Sequence, residues 1–316
     1  MKAIGIIPGR VRREQGRHAL VDGIPFALPV RSFRMQAFMA AFPVDLDRAR
    51  ELLPPSLAPV RLWRKGLLVF TVVNYQETSI GQYIEFSVAL ACARRDTDPP
   101  PLLPLLLPGP FRFGQYVLDL PVSTEISVKG GKGIWGMPKH QANLDFAVTD
   151  TTVSSQYDKD GQRAVYVEIE RPGGPKLPAS MGASNYCVFR GMLMKSDVYF
   201  RGRVEVGFGR RARARLELGD HPRLAAVKRL GVAERPVFTV FFPAAHGVLD
   251  DYIESWFVPY REPPEDRPED RPEGLESVID LGVGEDWLPP PERRMSRRLD
   301  GGSQRAEVPA SPEREP

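Results

Sequence analysis

Short strand-type runs separated by turn residues fill most of this chain and limit its fold more than any other feature. Residues 66–75 and 83–93 are dense in Leu, Val, Phe and Thr, a composition that suits a pleated, half-buried surface. The stretch 76–82 between them is turn-like, so the pair reads as a hairpin. Residues 115–120, 125–129, 143–149, 151–157, 163–170, 186–200, 203–208 and 236–242 carry the same character. Residues 211–218 alternate, with Ala212, Ala214, Leu216 and Leu218 on one face and Arg211, Arg213, Arg215 and Glu217 on the other. That pattern predicts a strand whose charged face is solvated or salt-bridged. Two short helices interrupt the strands. Asp45 caps the first, with Leu46, Ala49, Leu52 and Leu53 as its stripe and Pro54-Pro55 as its stop; Asp220 caps the second, which ends at Gly231. Doubly wound and TIM-type folds alternate strand and helix throughout, so the expected class is mainly β.

The ends of the chain differ from its middle. Residues 1–24 are basic and weakly patterned, and read as a loosely ordered arm. From 261 onward Glu, Pro, Arg and Asp dominate; such a tail buries too little apolar surface to offset its ordering entropy and is expected to be disordered. Residues 25–260 form the expected β domain. The proline-dense stretch 96–110 reads as a long loop or lid.

Composition excludes several function classes. The net charge is +3, with basic and acidic residues interspersed, so no nucleic-acid partner is expected. No stretch approaches the roughly 20 apolar residues of a membrane span, so the chain is expected to be soluble, with no membrane partner. Cys92 and Cys187 are far apart in the sequence and form no ligand pattern, which suits two reduced thiols in a cytoplasmic protein. The four histidines, His18, His140, His221 and His246, show no ligand spacing, and no nucleotide-binding glycine motif occurs. Neither metal nor cofactor is expected.

The chemistry concentrates at residues 129–143, where four glycines, Trp135, Met137 and Pro138 surround Lys139. Glycine permits tight or left-handed backbone there, while the tryptophan and methionine supply apolar cover. Free lysine titrates near pH ~10.4, leaving about one amine in a few thousand neutral at pH 7. Burial or a nearby cation is what makes such an amine a nucleophile.

Trp135-Gly136-Met137-Pro138-Lys139 resembles the active-site strand of the acetoacetate decarboxylase family, in which a Pro-Lys pair carries the Schiff-base lysine. Gly81-Gln82-Tyr83-Ile84-Glu85 resembles the family's Gly-x-Tyr-x-Glu segment, whose carboxylate lies in the active-site cavity. The helix from Asp45 to its Leu-Pro-x-x-Leu exit, and the later helix from Gly219 to Val232, resemble the family's early and late helices, so the likeness runs over roughly residues 33–250. It implies an antiparallel sheet curled into a barrel-like, double-psi or cone-shaped cavity with two short peripheral helices. It also implies Lys139 and Glu85 as catalytic residues, a small keto-acid substrate and a homo-oligomer. Arg34 falls within one residue of the family's carboxylate-binding arginine, and Trp135, Met137, His140 and Tyr83 are the other expected substrate contacts. The sequence departs from the family pattern at His140, where a second lysine is common, at Thr71, where a glutamate is common, and at Gly131-Lys132-Gly133. Three outcomes stay open: decarboxylation of a 3-oxo acid, an imine-based aldolase, dehydratase or hydratase reaction, and a non-catalytic barrel that binds a small molecule.

Overall fold

Left-handed residue pairs decide where the sheets turn back. Asp22-Gly23 (φ 49° and 77°), Asp160-Gly161 (52° and 76°) and Arg190-Gly191 (50° and 75°) each have two consecutive positive φ angles. Two such residues form the tight loop whose twist matches the strands that flank it. The computed structural model describes residues 8–9, 11, 16–95, 98–174 and 176–260. All of them belong to one compact unit, Met1–Asp270. The tail expected from 261 lies outside the described residues.

In chain order the elements are β1 (His18–Val21), β2 (Ile24–Ala27), β3 (Val30–Asp45), α1 (Leu46–Glu51), β4 (Ala58–Pro59), β5 (Lys65–Thr78) and β6 (Tyr83–Ala93). There follow α2 (Leu103–Leu106), β7 (Phe113–Val122), α3 (Glu125–Trp135), β8 (Lys139–Gln141), β9 (Asn143–Leu144), β10 (Ala147–Val148), β11 (Thr152–Lys159) and β12 (Gln162–Glu170). The last are β13 (Leu177–Phe189), β14 (Met192–Phe208), β15 (Ala214–Leu218), α4 (Ala225–Arg229) and β16 (Phe238–Phe257).

Seven strands close into a barrel in the order β6-β5-β3-β16-β14-β13-β7, with β7 returning to β6. The mainly β expectation and the barrel are both borne out. Closure removes the sheet edges and encloses one face of every strand. On its second edge β7 runs parallel to β13 at Gln115 and Tyr116, then parallel to β8 from Leu120 to Val122. The short β8 thus takes over the wall where β13 leaves it. Its first residue is Lys139.

A second sheet of β10, β11, β12 and β15, with β9 beside β11, covers the outer face of the barrel. Strand β5 is buried on both sides. Leu68, Phe70 and Val72 face the second sheet and share a core with Phe42, Phe86, Val153, Tyr157, Val167 and Ile169. Val73 and Tyr75, of opposite parity, belong to a separate apolar cluster with Met35, Tyr83 and Val122. Phe70 meets Phe42 and Phe86 edge-on at centroid distances of 5.8 Å and 6.3 Å, a geometry worth about 0.5–1.5 kcal/mol per pair beyond the area buried.

Several local expectations change. Residues 18–24 are not a loose arm, because Asp22-Gly23 closes a hairpin of β1 and β2. That hairpin packs on α3, with Val21 against Gly133, Phe26 against Gly130 and a 3.0 Å ion pair from Lys129 to Asp22. The run 186–200 is not one strand, since Arg190-Gly191 breaks it into β13 and β14. Residues 125–129, expected as a strand, open the helix α3. Asp45 caps α1 as expected, accepting from the amides of Arg48 at 3.0 Å and Asp47 at 3.1 Å. The Arg48 amide, foremost among its neighbours, holds the Asp45 carboxyl below its ordinary value. Asp220 does not cap the later helix. The ring of His221 caps the 3-10 turn Pro222–Leu224 that leads into α4, accepting from the Arg223 amide at 3.3 Å, while Asp220 pairs with Lys228. The strand expected over 211–218 starts only at Ala214; Arg213, just before it, pairs with Glu170, and Arg215 on it pairs with Glu217.

Candidate active site

Three glycines in one short helix cost stability, about 1 kcal/mol each against alanine, and close packing explains why α3 carries them. A Cβ on Gly130 would lie 2.7 Å from the Phe26 ring, and one on Gly133 2.5 Å from Val21. A Cβ on Gly131 would strike the stem of Lys139, 2.7 Å from its Cε. Gly136, at φ 64°, ends the helix, its amide bonding to the Lys132 carbonyl and that of Met137 to Gly131. Pro138 prevents the helix from resuming. The chain then enters β8 beside β7, and Lys139 projects into the barrel past the gap left by Gly131.

Lys139 is 6% exposed. Its Nζ lies 2.6 Å from Glu85 Oε2 and donates to Ser127 Oγ at 3.0 Å. The Tyr83 ring centroid is 5.5 Å from the same nitrogen. Tyr83 stacks on Tyr75 at 4.5 Å between centroids. Burial first, then the charge of Glu85, pushes both phenols well above their ordinary value. Both therefore keep their protons and stay neutral neighbours of the amine.

Lys139, Glu85, Tyr83 and Tyr75 line one cavity of about 100 Å³. That is well below the roughly 300–1,000 Å³ of drug-sized sites, so it suits a small organic molecule. Among its lining residues only Lys139, Glu85 and Arg31 carry a charge. Of the residues expected from the sequence, Lys139, Glu85, Tyr83, Trp135 and Met137 meet here. Trp135 is fixed by its indole N–H, which donates to the Asp250 carbonyl at 2.9 Å.

Two expected contacts do not reach the cavity. Arg34 is exposed, because β3 carries irregularities on both sides of it that break the alternation, and Arg31 lines the cavity instead. His140 follows Lys139 on a strand and so points to the opposite face. Its Nε2 lies 2.9 Å from Asp119 Oδ1, and Asp119 also accepts from Tyr157 at 3.0 Å and Arg223 at 3.4 Å. This cluster ties β8 to the second sheet and so fixes the backbone from which Lys139 projects. Ser127 was missed by sequence reasoning. Helical spacing gives the signal, since Ser127 and Gly131 are four apart on α3 and both touch Lys139.

Gly131→Ala separates packing from propensity. The variant gains helix propensity, yet its methyl displaces the lysine stem, and a misplacement near 1 Å costs about 10²-fold in rate. Turnover is expected to fall by that factor with the melting temperature nearly unchanged. An unaltered rate would show that the Lys139 stem is not held by this helix.

The acetoacetate decarboxylase (ADC) family model matches residues 15–251. The chain belongs to the acetoacetate decarboxylase family. Among solved structures, one from structural studies of acetoacetate decarboxylase is similar, with 18% identity, 73% of this chain and 90% of that chain covered, and a TM-score of 0.56. The acetoacetate decarboxylase of Legionella pneumophila gives 15% identity, 72% and 87% coverage and a TM-score of 0.53. The enduracididine biosynthesis enzyme MppR in complex with pyruvate gives 17%, 72%, 90% and 0.54. At such identities these likenesses show the fold alone. Comparison with the curated proteins finds no match.

Neither cysteine lines the cavity. Cys92 and Cys187 are both buried and unpaired with each other, and burial pushes the Cys92 thiol up. Among the described residues no cluster of His, Cys, Asp and Glu has the geometry of a metal site. No described helix is long and apolar enough to cross a membrane.

Proposed function

We propose that this protein decarboxylates a small 3-oxo acid through a Schiff base on Lys139. The observation that carries the reading is the buried Lys139 amine, 2.6 Å from Glu85 in a small closed-barrel cavity. A lysine nucleophile is activated by an apolar pocket, a neighbouring cation or a base, acetoacetate decarboxylase itself being a standard instance. His140 is turned away, so in this chain the Glu85 carboxylate, 2.6 Å from the amine, is the group placed to take its proton.

Glu85 accepts a proton from the amine, and the freed lone pair attacks the ketone carbon of the substrate. Glu85 passes that proton to the carbinolamine hydroxyl, which leaves as water and gives the iminium. The bond between the carboxylate carbon and the α-carbon then breaks, its electron pair moves through the α-carbon to the iminium nitrogen, and CO2 leaves. Glu85 takes up a proton from solvent water and delivers it to the α-carbon of the enamine. Hydrolysis releases the ketone and restores Lys139. Ser127 orients the amine through its 3.0 Å hydrogen bond. Arg31 lines the same cavity and is the natural partner of the substrate carboxylate.

The structural likeness to MppR, solved with pyruvate and with the condensation product of pyruvate and imidazole 4-carboxaldehyde, motivates a rival outcome from the same imine, condensation with an aldehyde. The two are separated by one assay. Substrates of the 3-oxo acid class are expected to release CO2 in amounts equal to the ketone formed. Condensation of pyruvate with an added aldehyde, without CO2 release from any 3-oxo acid, would replace the decarboxylase reading by the rival.

A further inference from the structure

Neutral polar side chains share the cavity with Lys139 and take no part in the steps above. Ser32, Thr71, Ser87, Gln115 and Asn185 all line it. The hydroxyls of Ser32 and Thr71 are buried without a hydrogen-bond partner, and Ser32 is 8% exposed. A buried hydroxyl left unpaired destabilises the fold relative to an apolar residue of the same shape. A ligand oxygen would supply the missing partner.

The placement of these groups is regular. Thr71 and Ser87 are cross-strand partners on β5 and β6, one step along the same face from the partners Val73 and Glu85. Side chains of such a pair stand roughly 5 Å apart. Gln115 and Asn185 are partners across the parallel pairing of β7 and β13. With Glu85 engaged by Lys139 and Arg31 the remaining charge in the lining, the rest of the recognition surface offers neutral donors and acceptors. A second charged group on the ligand would have no counter-ion there.

We propose that the substrate is an oxo acid bearing a neutral hydrogen-bonding oxygen, a hydroxyl or carbonyl, beyond the reacting ketone, and that Thr71 and Ser87 select for it. This inference rests on the imine reading. A site built to hydrogen-bond a substrate oxygen rejects the analogue that lacks it far more strongly than an apolar pocket rejects a missing methylene.

The test compares 4-hydroxy-3-oxobutanoate with 3-oxopentanoate, in which a methyl replaces the hydroxyl, by borohydride trapping on the full-length protein. The hydroxy acid is expected to reach half-maximal trapping at a concentration at least about tenfold lower. Thr71→Val with Ser87→Ala brings that ratio close to one and, by removing an unpaired buried oxygen, raises the melting midpoint by about 2–4 °C. Ser87→Ala alone shifts the ratio in the same direction. Equal or better trapping of the methyl analogue overturns the inference and leaves the imine reading standing, as does a ratio unmoved in the variants. A lower midpoint in the double variant also overturns it, since it would mean that the hydroxyls already serve the fold. An adduct with neither acid removes the imine reading, and this inference with it.

Discussion

Lys139→Ala is expected to lower CO2 release from 3-oxo acids by at least about a thousandfold, the scale of loss when a covalent nucleophile is deleted. Without the amine there is no iminium, and the electrons of the breaking bond have no acceptor in the cavity. The fold should survive. The amine's partners are Glu85 and Ser127, and the Glu85 side chain retains 18% exposure toward the cavity, where water can solvate it once the amine is gone. A thermal melt close to that of the wild type therefore distinguishes lost chemistry from lost structure. Lys139→Arg should fail as completely, because a guanidinium stays protonated at any workable pH. Turnover within tenfold of wild type in either variant would assign the chemistry to another group.

Glu85→Gln gives the second large effect, a fall in kcat on the order of 10³-fold, within the range for loss of a positioned acid–base group. The amide keeps the shape and still accepts a hydrogen bond from Lys139, but takes no proton from it and delivers none to the enamine. A second readout separates this from mere repositioning. The charge of Glu85 contributes to the raised titration of Tyr75 and Tyr83, so its removal moves both phenols down in pH. Burial is the larger cause, so they remain above the ordinary tyrosine value. Ultraviolet titration follows them directly. A kcat within fivefold of wild type, or phenols that do not move, would detach Glu85 from both roles.

The sequence carried the barrel more clearly than it carried the helix beside the site. Strand runs such as 66–75 and 83–93 are fixed by side-chain composition that no competing element shares, and they emerge as β5 and β6 in the expected hairpin. Helix α3 was hidden because Gly130, Gly131 and Gly133 argue locally for a turn. Their function is tertiary contact with Phe26, Lys139 and Val21, and tertiary packing overrides propensity. Ser127 was hidden with the helix that carries it. Arg34 was misplaced by backbone irregularities in β3 that no local signal announces. His140 is different in kind. Strand alternation already implies that a neighbour of an inward-facing Lys139 faces outward, so its place beside Asp119 and Tyr157 was legible once Lys139 was assigned to a strand.

The central claim is that one enclosed amine condenses with a carbonyl. Borohydride reduction in the presence of a 3-oxo acid, followed by proteolysis and mass spectrometry, tests it at the residue itself. The account predicts one irreversible adduct, confined to the peptide that contains Lys139 and absent from the Lys139→Ala protein. Labelling spread over surface lysines, or an adduct that persists in that variant, would contradict it.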